Sequence, residues 1–323
     1  MSTPTYKSVF VSGGAGFLGS HLVRRLLGLA ACERVVVYDN FSSGQESYLA
    51  ELSGDARLQI VRADLKDNDA VAAAMKGCEV VFHLAANPDI AKAVTQPDID
   101  FWEGTYLAQN VIEAMRVTGA KRILYTSGSG VYGENERVAF SESYGPCVPI
   151  STYGASKLAC EALIAAYCHM FGITGRAFRF ANVVGPRQTH GVGYDFVRRL
   201  KADPTRLRIL GDGTQSKSYI HVEDVLEAIF TADARCEGKY DIFNVATGDY
   251  ITVNEIAGIA AEVCGVTGVK HEHTGGDRGW KGDVPVVRFD CAKIQSLGWR
   301  CRRTSAQAVR DAMAAMRNEI ADA

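Results

Sequence analysis

The chain has 323 residues, 47% hydrophobic and 22% charged, which is typical of a globular protein with one large core or two lobes. Its 35 lysines and arginines nearly balance 37 aspartates and glutamates without a long block of either sign, so a surface for nucleic acid or anionic lipid is not indicated. Nine cysteines without a C-x-x-C pair fit neither a disulfide framework nor a zinc knuckle. With no leader-like or membrane-spanning apolar run, we expect a cytoplasmic protein with reduced thiols, no membrane contact and a small-molecule partner.

Apolar runs of strand length alternate with helical patterns through the first half of the chain. The runs cover residues 9–12, 34–39, 57–64, 79–85, 122–127 and 175–180, and helical spacing appears over 21–30 and 105–115. Strands apolar on both faces and separated by helices predict a doubly wound α/β fold with a parallel (Rossmann) sheet.

Beyond about residue 183 the alternation of strand and helix patterns loosens, and Gly-rich polar segments become frequent. We therefore expect a first, larger domain over 1–181, to which residues 218–250 return. A smaller, interwoven α/β lobe for the substrate is expected mainly over 182–217 and 251–323.

The segment VFVSGGAGFLGSHL, residues 9–22, places a glycine cluster between the first strand and a helix expected near Ser20. Such glycines permit a tight turn, let backbone N–H groups reach a pyrophosphate at the helix N-terminus, and let the helix pack on the strand. A flexible loop is the alternative, but the strand-glycine-helix order favours a dinucleotide site formed by Gly13, Gly14, Gly16 and Gly19. The domain over 1–181 is therefore the expected dinucleotide-binding domain.

Asp39 ends the second strand, 20 residues after Gly19. A carboxylate at this position can hold the ribose hydroxyls of a dinucleotide. Because Asn40 and Phe41 offer no cation for a 2′-phosphate, NAD is predicted rather than NADP.

Tyr153 and Lys157 lie four residues apart in STYGASKLACEAL, at the start of a predicted helix, and therefore share one face. A tyrosine hydroxyl is a poor base at neutral pH, but a neighbouring ammonium group stabilises its phenolate form. The pair can then exchange a proton with a substrate hydroxyl, although an isolated surface pair is the alternative.

Nine segments in order resemble the motifs of one family: SGGAGFLG, YDNFSSG, RADL, FHLAANPD, YTSGSGVYGE, SxYGASK, RFANVVGPR, LGDGTQSKSYIHVEDV and GWKGDV. They resemble the extended short-chain dehydrogenase/reductases, specifically the NAD-dependent nucleotide-sugar epimerases and dehydratases, over nearly the whole chain. The pattern is most similar to UDP-glucose 4-epimerases of archaeal type. The resemblance implies a retained NAD and inversion at C4 of a UDP-hexose, of the UDP-glucose/UDP-galactose kind, through a transient 4-keto sugar.

Carried over position by position, the resemblance assigns residues to three roles. The cofactor residues would be Gly13, Gly16, Phe17, Leu18, Gly19, Asp39, Asn40, Ser42, Ser43, Gly44, Asp64, Leu65, Leu84, Ala85, Ala86, Thr126, Tyr153, Lys157 and Phe180. The substrate residues would be Asn87, Ser129, Tyr153, Asn182, Lys217, Arg278 and Asp283. The helices over 105–115 and 158–170 would form the four-helix bundle of a homodimer.

Three positions depart from the family pattern. The usual catalytic Ser or Thr is replaced by Gly128, so the missing hydroxyl is expected from Ser129 or Ser127, with Ser129 the better candidate, or from water. An Asn of the nicotinamide region maps to Gly104, and Asn110 matches only a later Asn of the family pattern. One phosphate-binding Arg of the family maps to Lys217 and a second maps to Trp280, with Arg278 close enough to substitute for the second.

Other functions remain open on this scaffold. A 4,6-dehydratase is disfavoured because Ser129 and Gly130 occupy the places of its Asp-Glu pair. A UDP-glucuronate epimerase or decarboxylase and a catalytically impaired NAD-binding protein are further alternatives. His271 and His273 could share a strand face, but two histidines without a third ligand predict no metal site.

Overall fold

The computed structural model describes residues 6–135, 138–279 and 282–320. The chain divides into two compact units. The first comprises the residues up to Val131, Ser151–Arg179 and Ile229–Phe243, and the second comprises Tyr132–Ile150, Phe180–Ala228 and the residues from Asn244 onward. The functional domain limits given above stay a prediction, because compactness alone does not identify what a unit binds.

The strands, in chain order, are β1 (Ser8–Ser12), β2 (Arg34–Asp39), β3 (Leu58–Arg62), β4 (Val80–His83), β5 (Arg122–Gly128), β6 (Thr174–Phe180), β7 (Asn182–Val184), β8 (Arg206–Ile209), β9 (Ser216–Lys217), β10 (Tyr219–His221), β11 (Tyr240–Val245), β12 (Ile251–Thr252) and β13 (Lys270–His273). The α-helices are α1 (Phe17–Leu27), α2 (Asn68–Met75), α3 (Tyr106–Thr118), α4 (Thr152–Phe171), α5 (Val192–Ala202), α6 (Val222–Arg235), α7 (Val253–Cys264), α8 (Ala292–Ser296) and α9 (Ser305–Glu319).

The main sheet has seven strands in the order β11-β6-β5-β4-β1-β2-β3. The pairs β1–β2, β1–β4, β2–β3 and β4–β5 are parallel. Because the chain runs outward from β1 in one direction and then continues from β4 in the other, the loops after these two strands lie at the topological switch point. This arrangement confirms the predicted doubly wound α/β fold.

The sheet is buried because its strands carry apolar side chains on both faces. Phe10, Val36 and Val81 are fully buried, and they belong to one cluster with apolar residues of α2, α3 and α4. Burying both faces of a parallel sheet under helices removes this apolar surface from water. The same burial holds the carboxyl ends of the strands in fixed register for the loops that follow them.

The strands of the first half lie within two residues of their predicted bounds. Helix α1 begins earlier than expected, at Phe17 rather than near Ser20, because the extended residue Gly16 serves as its N-cap. The segment YIHVEDVLEAIF forms a strand followed by a helix, since Tyr219–His221 is β10 and α6 begins at Val222.

In the second unit, α5, α7 and α9 pack together around a separate apolar cluster that includes Phe196, Ile256 and Met313. Threonine capping boxes begin two of these helices, with Thr252 before α7 and Thr304 before α9. Short strand pairs β7–β10, β9–β12 and β8–β13 complete the unit. Among the described residues, the helices are too short or too polar to traverse a bilayer.

Candidate active site

The glycine loop between β1 and α1 is shaped by close backbone contacts. Gly13 has a φ of 72°, and a Cβ atom added there would lie 2.8 Å from the backbone nitrogen of Ala85. A Cβ atom on Gly19 would lie 2.1 Å from the carbonyl oxygen of Gly13. No side chain caps α1 at Gly16, and its first turn, which includes Phe17 and Leu18, has no acidic residue. The loop therefore presents a positive helix end that a pyrophosphate can approach.

Asp39, at the end of β2, is tied to this loop by backbone hydrogen bonds. Its Oδ2 accepts from the Ala15 N–H at 2.9 Å, and its Oδ1 accepts from the Phe41 N–H at 2.8 Å. A Cβ atom on Gly44 would lie 3.0 Å from Asp39 Oδ1, so only glycine leaves this approach open. The carboxylate keeps lone pairs for ribose hydroxyls while it fixes the loop.

The neighbouring loops bring the other predicted adenosine residues to the same edge of the sheet. Asn40 donates from Nδ2 to Asp64 Oδ2 at 3.2 Å and accepts from the Ser42 N–H at 3.0 Å. Leu65 is buried, whereas Ser42 and Ser43 are exposed.

Sequence reasoning missed a cation at this edge. The Arg62 guanidinium lies 4.2 Å from the ring centroid of Phe41, forms an ion pair with Glu46, and stands beside Asp39 in the β2–β3 register. The sequence offered one cue, since Arg62 lies two residues before the predicted cofactor residue Asp64. The pairing of β2 with β3 is what brings Arg62 next to Asp39.

The loop after β4 contains Leu84, Ala85 and Ala86 at the switch point. Leu84 N donates to the Ser12 carbonyl at 3.2 Å, and the Ala85 backbone abuts Gly13. Asn87, predicted to contact substrate, is buried, and its Nδ2 donates to Asp100 Oδ1 and to the Asp89 carbonyl, each at 2.9 Å. Both amide protons of Asn87 thus hold the loop, and its contact with substrate stays a prediction.

Gly104 has a steric reason to differ from the family pattern. A Cβ atom there would lie 2.3 Å from the Ser156 Oγ, which donates to the Asp100 carbonyl at 2.7 Å. Any larger residue at position 104 would displace this contact with α4. Asn110, the later Asn, donates to the Leu65 carbonyl at 2.9 Å and serves a structural role.

The predicted acid–base pair lies in the first turns of α4. Ser151 caps the helix by accepting from the Gly154 N–H at 3.1 Å. The buried Lys157 donates from Nζ to the Thr126 carbonyl at 2.8 Å, and Nζ lies 5.5 Å from the ring centroid of the half-buried Tyr153. Lys157 is therefore held against the end of β5 with its charge close to the tyrosine.

His83, on β4, does not add a competing charge. Burial, together with the nearby Lys157 ammonium, lowers the pKa of His83 to about 3. Its Nδ1 is 2.7 Å from the Ser12 Oγ. Because the folded-state pKa is depressed, His83 stays neutral above about pH 3 and packs as an uncharged strand residue.

The two serines beside Gly128 have different environments. Strand β5 ends at Gly128, and a 3-10 turn follows over Ser129–Tyr132. Ser127 is buried and donates to Glu161 Oε1 at 2.5 Å. Ser129 is half-buried at the start of the turn, and within the described residues its hydroxyl makes no hydrogen bond.

Three of the predicted substrate residues come together in the second unit. Lys217 forms an ion pair with Asp283, and Arg278 donates to the Asp283 carbonyl at 2.9 Å. Arg278 also donates to Glu134 Oε1 at 2.7 Å, a carboxylate that the sequence did not identify.

The remaining predicted residues of this unit lie at strand ends or outside the description. Phe180 is buried at the end of β6, and the exposed Asn182 begins β7. Trp280 lies outside the described residues. The Nε2 atom of His273, on β13, lies 2.8 Å from Asn254 Oδ1. No cluster of three metal-ligating side chains occurs in residues 6–135, 138–279 and 282–320.

These contacts fit a dinucleotide. The loop would be filled by any Cβ at Gly13 or Gly19, the helix end is uncapped, and the strand that follows ends in a carboxylate. Beside them, a tyrosine and an ammonium can exchange a proton with a bound hydroxyl.

Comparison with known proteins agrees with this geometry. A family model described as the NAD dependent epimerase/dehydratase family matches residues 9–246. A putative UDP-glucose 4-epimerase of Methanocaldococcus jannaschii is 31% identical over 298 residues, covering 90% of this chain and 92% of the relative. A UDP-glucose 4-epimerase of Mycolicibacterium smegmatis is 32% identical, covering 96% of this chain and 98% of the relative.

Solved structures show the same similarity. A crystal structure of a UDP-galactose 4-epimerase has a TM-score of 0.85 and 37% identity, covering 97% and 99% of the two chains. A Thermus thermophilus UDP-glucose 4-epimerase in complex with NAD has a TM-score of 0.85 and 29% identity, covering 97% and 100%. A dTDP-glucose 4,6-dehydratase of Streptomyces venezuelae, with a TM-score of 0.87 and 27% identity, covers 96% and 97%. Glycine loop, Asp39 and Tyr153–Lys157 thus lie on a scaffold matched over nearly its full length, and the chain belongs to the NAD dependent epimerase/dehydratase family.

Proposed function

We propose that the chain inverts C4 of a nucleotide-linked hexose, with UDP-glucose and UDP-galactose as the expected pair. The observation that carries this proposal is the Lys157 ammonium bound to the Thr126 carbonyl beside Tyr153, at the end of β5, which pairs with β4. The names of the relatives support the reaction but do not fix the sugar or the base.

In this mechanism, bound NAD supplies a reversible acceptor for the C4 hydride. Tyr153, as the phenolate, removes the proton from the sugar 4-hydroxyl and later returns it to the same oxygen. Lys157 stabilises the phenolate by its charge, and its bond to Thr126 prevents the ammonium from turning away. A turn of the 4-keto sugar between the loss and the return of this proton would expose its opposite face and so permit inversion at C4.

The predicted binding residues would contact different parts of NAD and of the sugar nucleotide. The N–H groups at Phe17 and Leu18 would meet the pyrophosphate of NAD, and Asp39 would hold the adenosine ribose. Lys217 and Arg278 would bind the diphosphate of the sugar nucleotide, with Asp283 already placed beside both. Ser129 would provide the hydroxyl that Gly128 lacks.

Dehydration is a weaker alternative on structural grounds. A Cβ atom at Gly130 would lie 3.3 Å from the Cα of Gly154, in the first turn of α4. A carboxylate side chain at position 130, as the dehydratase pattern requires, would need that turn to shift by a few tenths of an ångström. UDP-glucuronate epimerisation or decarboxylation uses the same tyrosine and lysine, so only substrates distinguish it.

A homodimer through α3 and α4 is part of the proposal. Large apolar residues on these two helices are between 39% and 71% exposed. They are Trp102 and Val117, near the two ends of α3, and Met170 and Phe171, at the end of α4. The Trp102 ring packs edge-to-face against the Tyr106 ring, with ring centroids 5.5 Å apart. A second copy covering these helices would remove this apolar surface from water.

We also propose a cytoplasmic location. All nine cysteines are free thiols, and Cys32, Cys78, Cys160, Cys168 and Cys291 are buried. Reducing conditions would preserve these thiols.

The decisive experiment has two steps. Purified protein is denatured and the released nucleotide is identified, and native protein is then incubated with UDP-, GDP- and dTDP-hexoses and UDP-glucuronate. C4 inversion of a UDP-hexose, detected by NMR and lost in Tyr153→Phe, is the expected result. Release of carbon dioxide, formation of a 4-keto-6-deoxy sugar, or absence of any turnover would contradict the proposal.

A further inference from the structure

A buried network lies directly behind the proposed acid–base pair. The Ser127 hydroxyl donates to Glu161 Oε1 at 2.5 Å, and Arg179 donates to Oε1 at 3.0 Å through Nε and to Oε2 at 2.6 Å through Nη2. The three residues are 3–5% exposed. Glu161 lies one helical turn beyond Lys157 on α4, and Arg179 lies on β6, so the network joins β5, α4 and β6.

The segment held by this network carries two groups that the reaction needs. Thr126, one residue before Ser127, offers the carbonyl that receives the Lys157 ammonium. Ser129, two residues after Ser127, begins the 3-10 turn. One side-chain hydrogen bond from Ser127 therefore restrains the backbone on both sides of itself.

Gly128 makes such a restraint necessary. Glycine has the most backbone freedom of any residue, and a Cβ atom at position 128 would meet no described atom within 4 Å. The turn after it must nevertheless lie close to α4, since Gly130 packs against Gly154, the residue next to Tyr153. A small rotation at Gly128 would move Ser129 relative to Tyr153.

We infer that Ser127, acting through Glu161, is a positioning residue that fixes the end of β5 and so compensates for the backbone freedom of Gly128. Its hydroxyl does not touch the reacting atoms. The inference rests on the proposed epimerase function for its kinetic consequence, but the restraint itself is a property of the protein without substrate.

The test is a double-mutant cycle that compares wild type with Ser127→Ala, Gly128→Ala and the double variant. All four proteins are assayed at the same NAD occupancy. Ser127→Ala should lower kcat by up to about tenfold, the scale of one buried hydrogen bond, with little change in KM. Gly128→Ala alone should stay within about twofold of wild type, because its backbone is outside the left-handed region and the added methyl meets no described atom. The double variant should recover most of the lost kcat, because alanine narrows the backbone freedom at position 128.

A second readout does not depend on catalysis. Amide hydrogen exchange over residues 126–132, measured without substrate, should be faster in Ser127→Ala and return towards wild type in the double variant. Equal exchange in Ser127→Ala and wild type, or a double variant as slow in turnover as Ser127→Ala, would overturn the inference. If wild type turns over no sugar, the proposed function fails, and the exchange data alone then decide the positioning role.

Discussion

The hydroxyl of Tyr153 is the atom on which the proposed chemistry depends most. Tyr153→Phe keeps the ring against Lys157 but removes the group that carries the proton, so kcat should fall by at least about 100-fold, the usual scale of general acid–base help. NAD should stay bound, as measured by nucleotide release on denaturation. Tyr194→Phe, on α5, is the matched control and should retain wild-type turnover. Near-normal activity of Tyr153→Phe would remove this residue from the mechanism.

The neighbouring serines are expected to differ in their effect on turnover. Ser129→Ala should reduce kcat more than Ser127→Ala, because the Ser129 hydroxyl has no partner among the described residues whereas that of Ser127 is bonded to Glu161. Gly128→Ser should be tolerated, since a Cβ atom there has open space. Steady-state kinetics of the three variants checks the order. Normal turnover in both alanine variants would leave the proton transfer to Tyr153 alone or to water.

Cofactor choice is predicted to depend on the charge of Asp39. The carboxylate would repel a 2′-phosphate, so wild type should bind NAD far more tightly than NADP in calorimetry. Asp39→Ala removes the charge and both acceptors for the Ala15 and Phe41 N–H groups, and it should relax the preference. Asp39→Asn keeps an acceptor oxygen and therefore separates charge from loop structure. Equal affinity of wild type for the two nucleotides would contradict the prediction.

At the scale of elements, the two glycines of the β1–α1 loop should fail in different ways. Gly19→Ala places a Cβ atom 2.1 Å from the Gly13 carbonyl and should lower both the thermal midpoint and NAD affinity. Gly16→Ala adds a Cβ atom that meets only the Gly13 carbonyl oxygen, at 3.4 Å, so the thermal midpoint should change little. NAD should still bind more weakly, because the added methyl lies at the helix end where the pyrophosphate is proposed to bind. Scanning calorimetry with and without NAD measures both effects. A loss of stability shared equally by the two variants would refute the distinction.

The same elements show what spacing along the chain can and cannot predict. The order of strand, glycines, helix and Asp39 could be predicted because each feature is local, and the four-residue interval placed Tyr153 and Lys157 on one helical face. That Arg62 lies beside Asp39 could not be predicted, because it depends on the β2–β3 register.

The sequence favoured Ser129 over Ser127, but it could not predict the contacts that distinguish the two serines. A regular strand through position 129 would turn both serines to one face, whereas β5 ends at Gly128 and the chain enters a tight turn. Glu161 is similar: its position one turn after Lys157 is visible in the sequence, but its partners on β5 and β6 become neighbours only in the folded sheet.

At the scale of the whole molecule, the exposed apolar residues of α3 and α4 predict a change in mass. Trp102→Glu would place a charge in the proposed interface and should convert a dimer into a monomer of 34.9 kDa in light scattering. Val148→Glu, which alters an exposed valine of the second unit, should leave the dimer intact. A wild-type protein that is monomeric at micromolar concentration would contradict the proposed bundle.

The pairing of Lys217 and Arg278 with Asp283 and Glu134 has a consequence for how an anion arrives. Because Asp277 also forms an ion pair with Arg278, two positive and three negative side chains leave a net charge of −1 among the described residues of this cluster, and the chain as a whole carries a net charge of −2. Beyond a Debye length of roughly 8–10 Å, such a cluster does not attract a diphosphate electrostatically. Capture would then be an exchange of partners at contact range, in which the cations leave internal carboxylates for phosphate oxygens. Recognition by this cluster would select for shape at the point of encounter rather than for charge at a distance.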